Sequence, residues 1–495
     1  MKDIHKLLET DRNYKTGLIL LFVLFILLRS YHITSPMLDR HSWNQISTAA
    51  SAMNIYKDPS TFWAPDFNAI QERSGSSVMA QEFPIFMGLI ALGYALFGTS
   101  IVVARLVAIG IALIGWVYLF KICRIAESRA VSLLILFFYT INSHNWFFDR
   151  AINSDTGMVS FMLVALYYFH RYLENRCYRH FIALTLATTL AGLFKPFGLM
   201  IGISFLYLLW KRKQLAELKN PMIWLMGGFV WVVNLSWLVY SKEVLSNSIG
   251  LGHRLGFDLD TLFSWKYPYI LSQRFFDQIL TPFLALFFLY ALFSRKIKND
   301  FASALFAGNL FYLIYITHGN IVHNYYQLPL TPALCMFAGL GFYHWLTVTL
   351  KQKSKRLKIG LAVFIILGFM LYSGKRAWNH FRLSMGPKLV GDAVKSLSLP
   401  DDTLMLAIET SGTRYHEILY YSDLKGYVAR SVPGTHFEKY REKGVSIVAV
   451  HLEEEEFTDP GYMEPLEKNL NKVWSSYDCT DSYSEPCYVA IYRFK

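Results

Sequence analysis

The stretch Leu38–Gln45 sets a carboxylate, Asp39, beside Arg40, His41, Ser42, Trp43, Asn44 and Gln45, just past the first apolar segment of the chain. Those residue types suit a polar reaction at a membrane boundary, in which the carboxylate takes a proton while cations and amides hold a polar group in place. Asp39 is therefore the candidate general base, and Arg40, His41 and Trp43 are candidate substrate contacts. The plainer reading of the same residues is an interfacial turn with Trp43 as its aromatic anchor. The elements around the stretch decide between the two.

The chain has 495 residues, 54% apolar and 16% aromatic but only 17% charged, which is too apolar for an ordinary soluble protein. A first apolar run, Gly17 to Leu28, reads as a retained helix, with Arg29 reaching towards the interface or the bundle. Ten more stretches follow, near 101–120, 130–141, 156–169, 181–194, 196–210, 222–240, 275–293, 301–317, 331–350 and 359–372. The expectation is a multi-span α-helical membrane protein with about 11–13 transmembrane helices, several short of the ~20 residues a bilayer core asks for. The segment Phe83 to Gly98 is placed as a helix lying at the interface.

Basic residues fix the orientation. The N-terminus and the loops holding Lys121/Arg124/Arg129, Arg171/Arg176/Arg179, Lys211/Arg212/Lys213/Lys219, Arg295/Lys296/Lys298 and 351–358 carry 22 of the 48 Lys and Arg, so they are expected on the cytoplasmic side. The net charge of +12 then reflects membrane topology and calls for no nucleic-acid partner. Loops 31–100, 142–155, the Lys195-Pro196 turn, 241–274, 318–330 and everything after about 375 are expected outside, with the N-terminus cytoplasmic and the chain passing many times through the cell (inner) membrane. That gathers Asp39 and Glu82 on one face with the candidate substrate contacts Arg150, Asp155, Lys195, Arg254, Arg274, His323, Tyr325 and Tyr326. Such a collection describes an active site better than a conduction path, since a transporter would place ionisable groups near the midplane.

Two domains are expected: a membrane part, 1–375, with its long first loop 31–100, and a soluble α/β module, 376–495. In the module, strands near 403–409, 426–430, 445–451 and 488–494 alternate with helices near 414–423 and 437–443, and no catalytic motif is visible. The run Glu453 to Glu456 reads as a solvated acidic face. Cys479 and Cys487 are close enough in sequence to close a disulfide in an oxidising compartment, two free thiols being the other reading.

Several of these residues also carry a family resemblance. A helix ending in Arg29, then Asp39 and His41-Ser42-Trp43-Asn44-Gln45, Glu82-Phe83-Pro84-Ile85 leading to Phe97-Gly98, and Ala104-Arg105-Leu106 together resemble the start of the GT-C glycosyltransferases. Later matches follow in order: Arg150 and Asp155, Lys195-Pro196, and His323-Asn324-Tyr325-Tyr326-Gln327-Leu328-Pro329 before Pro332. The nearest branch is the bacterial one related to protein O-mannosyltransferases and to the aminoarabinose transferase of lipid A. One departure stands out: the mannosyltransferases have paired Asp-Glu in the first loop, and here Asp39 is followed by Arg40.

The resemblance implies a membrane glycosyltransferase that moves a sugar from a polyprenyl- or dolichyl-phosphate donor to a protein, lipid or glycan acceptor on the outer face. Asp39 would be the base and Glu82 a second carboxylate, or merely a charge capping the next helix. Arg40, Lys195, Arg254 and Arg274, with His323 and Tyr325 donating, would stabilise the leaving phosphate. Direct displacement predicts inversion. No cofactor is required, although Asp39, Glu82 and Asp155 could supply oxygen ligands to Mg²⁺ or Mn²⁺. The alternatives are a flippase or other transporter, or a ligase, of lipid-linked saccharides.

Overall fold

The computed structural model describes residues 10–72, 74–78, 82–245, 257–409, 416–477 and 487–495. Each of the eleven apolar stretches is helical, and the fold is that of a multi-span helical membrane protein with a small sheet domain at its C-terminal end. Among the described residues, four helices are long and apolar enough to cross a membrane: Asp11–Ser30, Ile101–Ala126, Pro221–Glu243 and Lys355–His380. The pair Lys266–Ile279 and Thr281–Phe293, bent by 109°, makes a fifth if it is one span.

Other helices are shorter for a physical reason. Thr331–His344 has 14 residues, of which all but the last two are buried, so it meets protein on every side and lipid does not dictate its length. Its Gly341 lets the helix lie directly on the backbone of Thr281–Phe293, where a Cβ would stand 2.1 Å from the Phe287 carbonyl oxygen.

Two helices position the first loop. Ser42–Lys57 follows Asp39 and packs against Ile85–Phe97, which begins just after Glu82. The second leaves Leu92, Leu96 and Phe97 exposed, as suits a helix at a lipid boundary, and at 13 residues it is too short to count among the spans.

Strands β1 (Leu404–Glu409), β2 (Lys425–Ala429), β3 (Val445–Glu453), β4 (Leu470–Ser476) and β5 (Cys487–Phe494) form one sheet in the order β2-β1-β3-β5-β4. β1 is parallel to β2 and β3, whereas β5 runs antiparallel to both β3 and β4. Alternate residues of β1 feed two cores, Met405 and Ala407 on one face, Leu406 and Ile408 on the other, as the pleat requires. The first core also takes in Ala50, Phe67 and Ala69 of the first loop. The predicted boundary at 375 falls inside the unbroken helix Lys355–His380, and the sheet domain is built partly from residues of the membrane part.

Candidate active site

The predicted site residues separate into two neighbouring groups. The inner group is a set of buried ion pairs. Arg29 donates to Asp149 from Nε and Nη2 at 3.1 and 2.7 Å, and its Nη1 reaches the Thr140 carbonyl. Arg105 donates from Nη1 to the carbonyls of His32, Ile33 and Ser35, which fixes the chain leaving the first helix. Asp39 is paired with Arg150 and Arg105. Its Oδ2 accepts from Arg150 Nη2 at 2.5 Å, with Arg105 Nη2 at 3.8 Å, and its Oδ1 accepts from Gln45 at 2.6 Å.

The Asp39 side chain has no exposed surface. A general base must reach the proton it removes. In this arrangement Asp39 instead supplies counter-charge to two buried guanidiniums, so the base role expected of it is not open to a substrate here. Arg150, expected as a substrate contact, is likewise spent on Asp39 and is buried.

The outer group is built around Lys195, in the turn between helices Tyr178–Phe194 and Ile201–Lys211. Its ammonium is 2.8 Å from both carboxylate oxygens of Asp155 and 3.7 Å from Glu82 Oε1. It also lies 4.5 and 5.0 Å from the ring centres of Tyr326 and Tyr325. Burial alone would lower the Lys195 pKa, but Asp155, Tyr326 and Glu82 outweigh it and raise it, so the ammonium keeps its charge. Asp155 is buried, whereas a quarter of the Glu82 side chain is exposed. Burial and the nearby Asp155 charge push the Glu82 pKa up, with Lys195 and a hydrogen bond from Ser154 opposing. Two carboxylates thus share one ammonium, and Glu82 is the accessible one.

Aromatic rings line the approach. His41 sits in the left-handed backbone region (φ 59°), a conformation that costs a non-glycine residue roughly 1–2 kcal/mol. That bend turns its ring onto Tyr325, 4.8 Å between centres, and its Nε2 onto Asn324 Oδ1 at 2.7 Å. An amide oxygen only accepts, so the His41 ring donates from Nε2. His323 stacks on Tyr325 at 5.0 Å, and Trp43 lies 5.7 Å from His323. Arg40 is exposed beside His41, and of the predicted cations among the described residues it is the one best placed to meet an anion from solvent.

Arg274 does a different job from the phosphate contact expected of it. Its guanidinium donates to the carbonyls of Asn320, Ile321 and His323 and to Gln327 Oε1, so it shapes the loop that presents His323 and Tyr325. Arg254 and Cys479 lie outside the described residues. Cys487 is in a disulfide, and Cys123, Cys177 and Cys335 are free. Among the described residues no three of His, Cys, Asp and Glu stand close enough to hold a metal together. Asp39, Glu82 and Asp155 therefore do not form the oxygen cage considered for Mg²⁺ or Mn²⁺, since Asp39 and Asp155 are committed to Arg150 and Lys195.

Sequence reasoning passed over Gln45, Arg105, Asn324, His416 and Glu417 as site residues. The first three sat inside quoted motifs, but nothing local marks 416 and 417, which reach the first loop from the sheet domain: Glu417 accepts from Ser42 Oγ at 2.8 Å.

Burial lowers the pKa of both His41 and His416 to about 4 from an ordinary 6.5. Between pH 6.5 and 4 these two side chains bind more protons in the unfolded chain than in the folded one, so the stability they contribute falls as pH drops through that window. The unfolding temperature in detergent should be lower at pH 5 than at pH 7.5, and His416→Gln should shrink the difference. An unchanged pH difference in folded His416→Gln would show that His416 is not held neutral.

Residues 82–240 match the family described as dolichyl-phosphate-mannose-protein mannosyltransferase. No curated protein matches the chain. The solved structure of ArnT from Cupriavidus metallidurans in the apo state is similar with a TM-score of 0.66 at 11% identity, covering 96% of this chain and 98% of that one. The same protein bound to undecaprenyl phosphate gives 0.62 at 11%, covering 96% and 97%. The archaeal oligosaccharyltransferase AglB from Archaeoglobus fulgidus, in complex with an inhibitory peptide and a dolichol-phosphate, gives 0.59 at 12%, covering 94% and 73%. The resemblance read from the sequence is borne out, in the family match and in the fold.

Proposed function

We propose that this chain, whose fold is that of the GT-C glycosyltransferases, transfers a sugar from a polyprenyl-phosphate donor to a hydroxyl or phosphate acceptor on the extracytoplasmic face of the cell membrane. The observation that carries the reading is the outer cluster, in which the accessible carboxylate of Glu82 stands beside the ammonium of Lys195 and the Tyr325 and Tyr326 rings. The undecaprenyl phosphate and dolichol-phosphate bound by two proteins of the same fold support a lipid-phosphate donor.

In this reading Lys195 and Arg40, with Tyr325 and His323 donating, hold the phosphate. The acceptor oxygen attacks the anomeric carbon, the bond from that carbon to the phosphate oxygen breaks, and its electron pair leaves with the polyprenyl phosphate. Glu82 takes the acceptor proton, and its raised pKa suits it to that task. The cations stabilise the charge that grows on the leaving oxygen. A single displacement of this kind inverts the anomeric configuration. No step is routed through a metal ion.

A second reading keeps Asp39 as base. It is favoured by position, two residues before His41, whose ring stands against Tyr325. It requires Arg150 to release the carboxylate when substrate binds.

The test uses purified full-length protein in nanodiscs, given undecaprenyl-phosphate-linked hexose or pentose together with bacterial membrane lipid, with products read by mass spectrometry. A glycosylated product together with free undecaprenyl phosphate is expected. Donor recovered intact from every mixture, with movement across the bilayer instead, would replace the transferase reading with a transporter.

A further inference from the structure

The sheet domain reaches into the first loop at two buried points. Ser42 Oγ donates to Glu417 Oε1 at 2.8 Å, and the backbone N–H of His416 donates to Glu417 Oε2 at 3.0 Å. One turn further along, Ser47 Oγ gives its only hydrogen to the Trp43 carbonyl at 2.6 Å, so the 2.9 Å contact with His416 has the imidazole Nε2–H donating to the hydroxyl. Glu417 and His416 are 0% and 2% exposed, so neither contact is a solvated surface pair.

The position of Glu417 is electrostatically apt. Ser42 is the first residue of helix Ser42–Lys57, whose N-terminal end carries partial positive charge from its unpaired N–H groups. A buried carboxylate there is favoured, and it holds the end of the helix from which Gln45 reaches back to Asp39 and which follows directly on His41.

The far half of the loop is held as well. Gly426 of β2 exchanges backbone hydrogen bonds with Asn68 and Ile70, at 3.0 and 2.7 Å, so the loop runs as a short extra strand along that sheet edge. Asp66 pairs with Lys425, and Glu72 with Lys439 and Tyr440.

We infer that Glu417 is a positioning residue for transfer: through Ser42 it sets the helix that carries the Asp39–Gln45 contact and packs on the helix beginning after Glu82. The sheet domain is then a working part of the active site. This inference rests on the first loop being catalytic, as proposed above.

The experiment compares full-length wild type, Glu417→Ala, Glu417→Gln, Ser42→Ala and the double Ser42→Ala/Glu417→Ala in nanodiscs. Turnover of an undecaprenyl-phosphate sugar and hydrogen exchange over residues 42–57 are both measured. Glu417→Ala should lower kcat about tenfold or more with the donor KM within about twofold, since small misplacements of reacting groups are costly. Glu417→Gln, which can still accept from Ser42, should recover much of the loss. Ser42→Ala should lower kcat in the same direction, and the double variant should be no worse than Glu417→Ala alone. Exchange over 42–57 should rise in each alanine variant.

Wild-type kcat in folded Glu417→Ala, or additive losses in the double variant, would overturn the inference. If Glu417→Ala does not fold, Ser42→Ala, which leaves the carboxylate in place, decides alone: unchanged kcat and exchange would sink it. Absence of transfer even in wild type would count against the proposed function instead, and the exchange data would still decide whether Glu417 orders the helix.

Discussion

Glu82→Gln in well-folded full-length protein should lower turnover by about 10² to 10⁴ while donor affinity changes little, because the amide keeps the shape of the side chain but cannot take a proton. The activity of the unmodified protein should rise with pH through the raised pKa of Glu82, since the ionised form is the base. Asp39→Asn should behave differently. It removes the charge that offsets Arg150 and Arg105, both buried, and breaking such a pair typically costs about 3–5 kcal/mol. Its first effect should be a lower unfolding temperature and a poorer folded yield. The deciding quantity is specific activity per folded molecule for the two variants side by side. Glu82→Gln within about threefold of wild type, well under 1 kcal/mol of barrier, would remove Glu82 from the chemistry. Folded but inactive Asp39→Asn in the same experiment would hand the role to Asp39.

The helices were legible because apolar periodicity is a local property, and each apolar run became a helix. The outer site was partly legible for a related reason. Glu82, Asp155, Lys195 and Tyr325 stand out as polar residues at the ends of apolar runs, and the orientation rule puts those ends on one face. What the sequence could not display was how each cation is occupied. Arg274 reads as an interfacial cation like any other, yet its protons go to backbone carbonyls 46 to 49 residues away. Asp39 has the right type and place for a base, but the guanidinium that closes it off comes from position 150. The Glu417–Ser42 contact spans 375 residues and has no spacing to recognise. In the sheet domain, β4 and helix Pro460–Asn469 were missed: the strand is at a sheet edge and largely polar, and the helix contains two prolines.

Lys195 serves two roles that substitution can separate. It balances Asp155, which is buried and has both oxygens on the ammonium, and in the proposed reaction it also faces the donor phosphate. Lys195→Met should leave an uncompensated buried carboxylate and cost roughly 3–5 kcal/mol, seen as a fall in unfolding temperature. Lys195→Met/Asp155→Asn removes both charges together and should recover most of that stability. It should not recover function. A charged hydrogen bond to phosphate contributes about 1.5–3 kcal/mol, so affinity for undecaprenyl phosphate should stay weakened by roughly tenfold to a hundredfold in the double variant. Binding of undecaprenyl phosphate, measured by calorimetry in detergent beside thermal unfolding of the same samples, gives both readings. A double variant that is stable and binds the lipid phosphate as tightly as wild type would reduce Lys195 to the structural partner of Asp155. The phosphate would then have to be held by Arg40 and the Tyr325–His323 wall alone, and the proposed geometry of transfer would move with it.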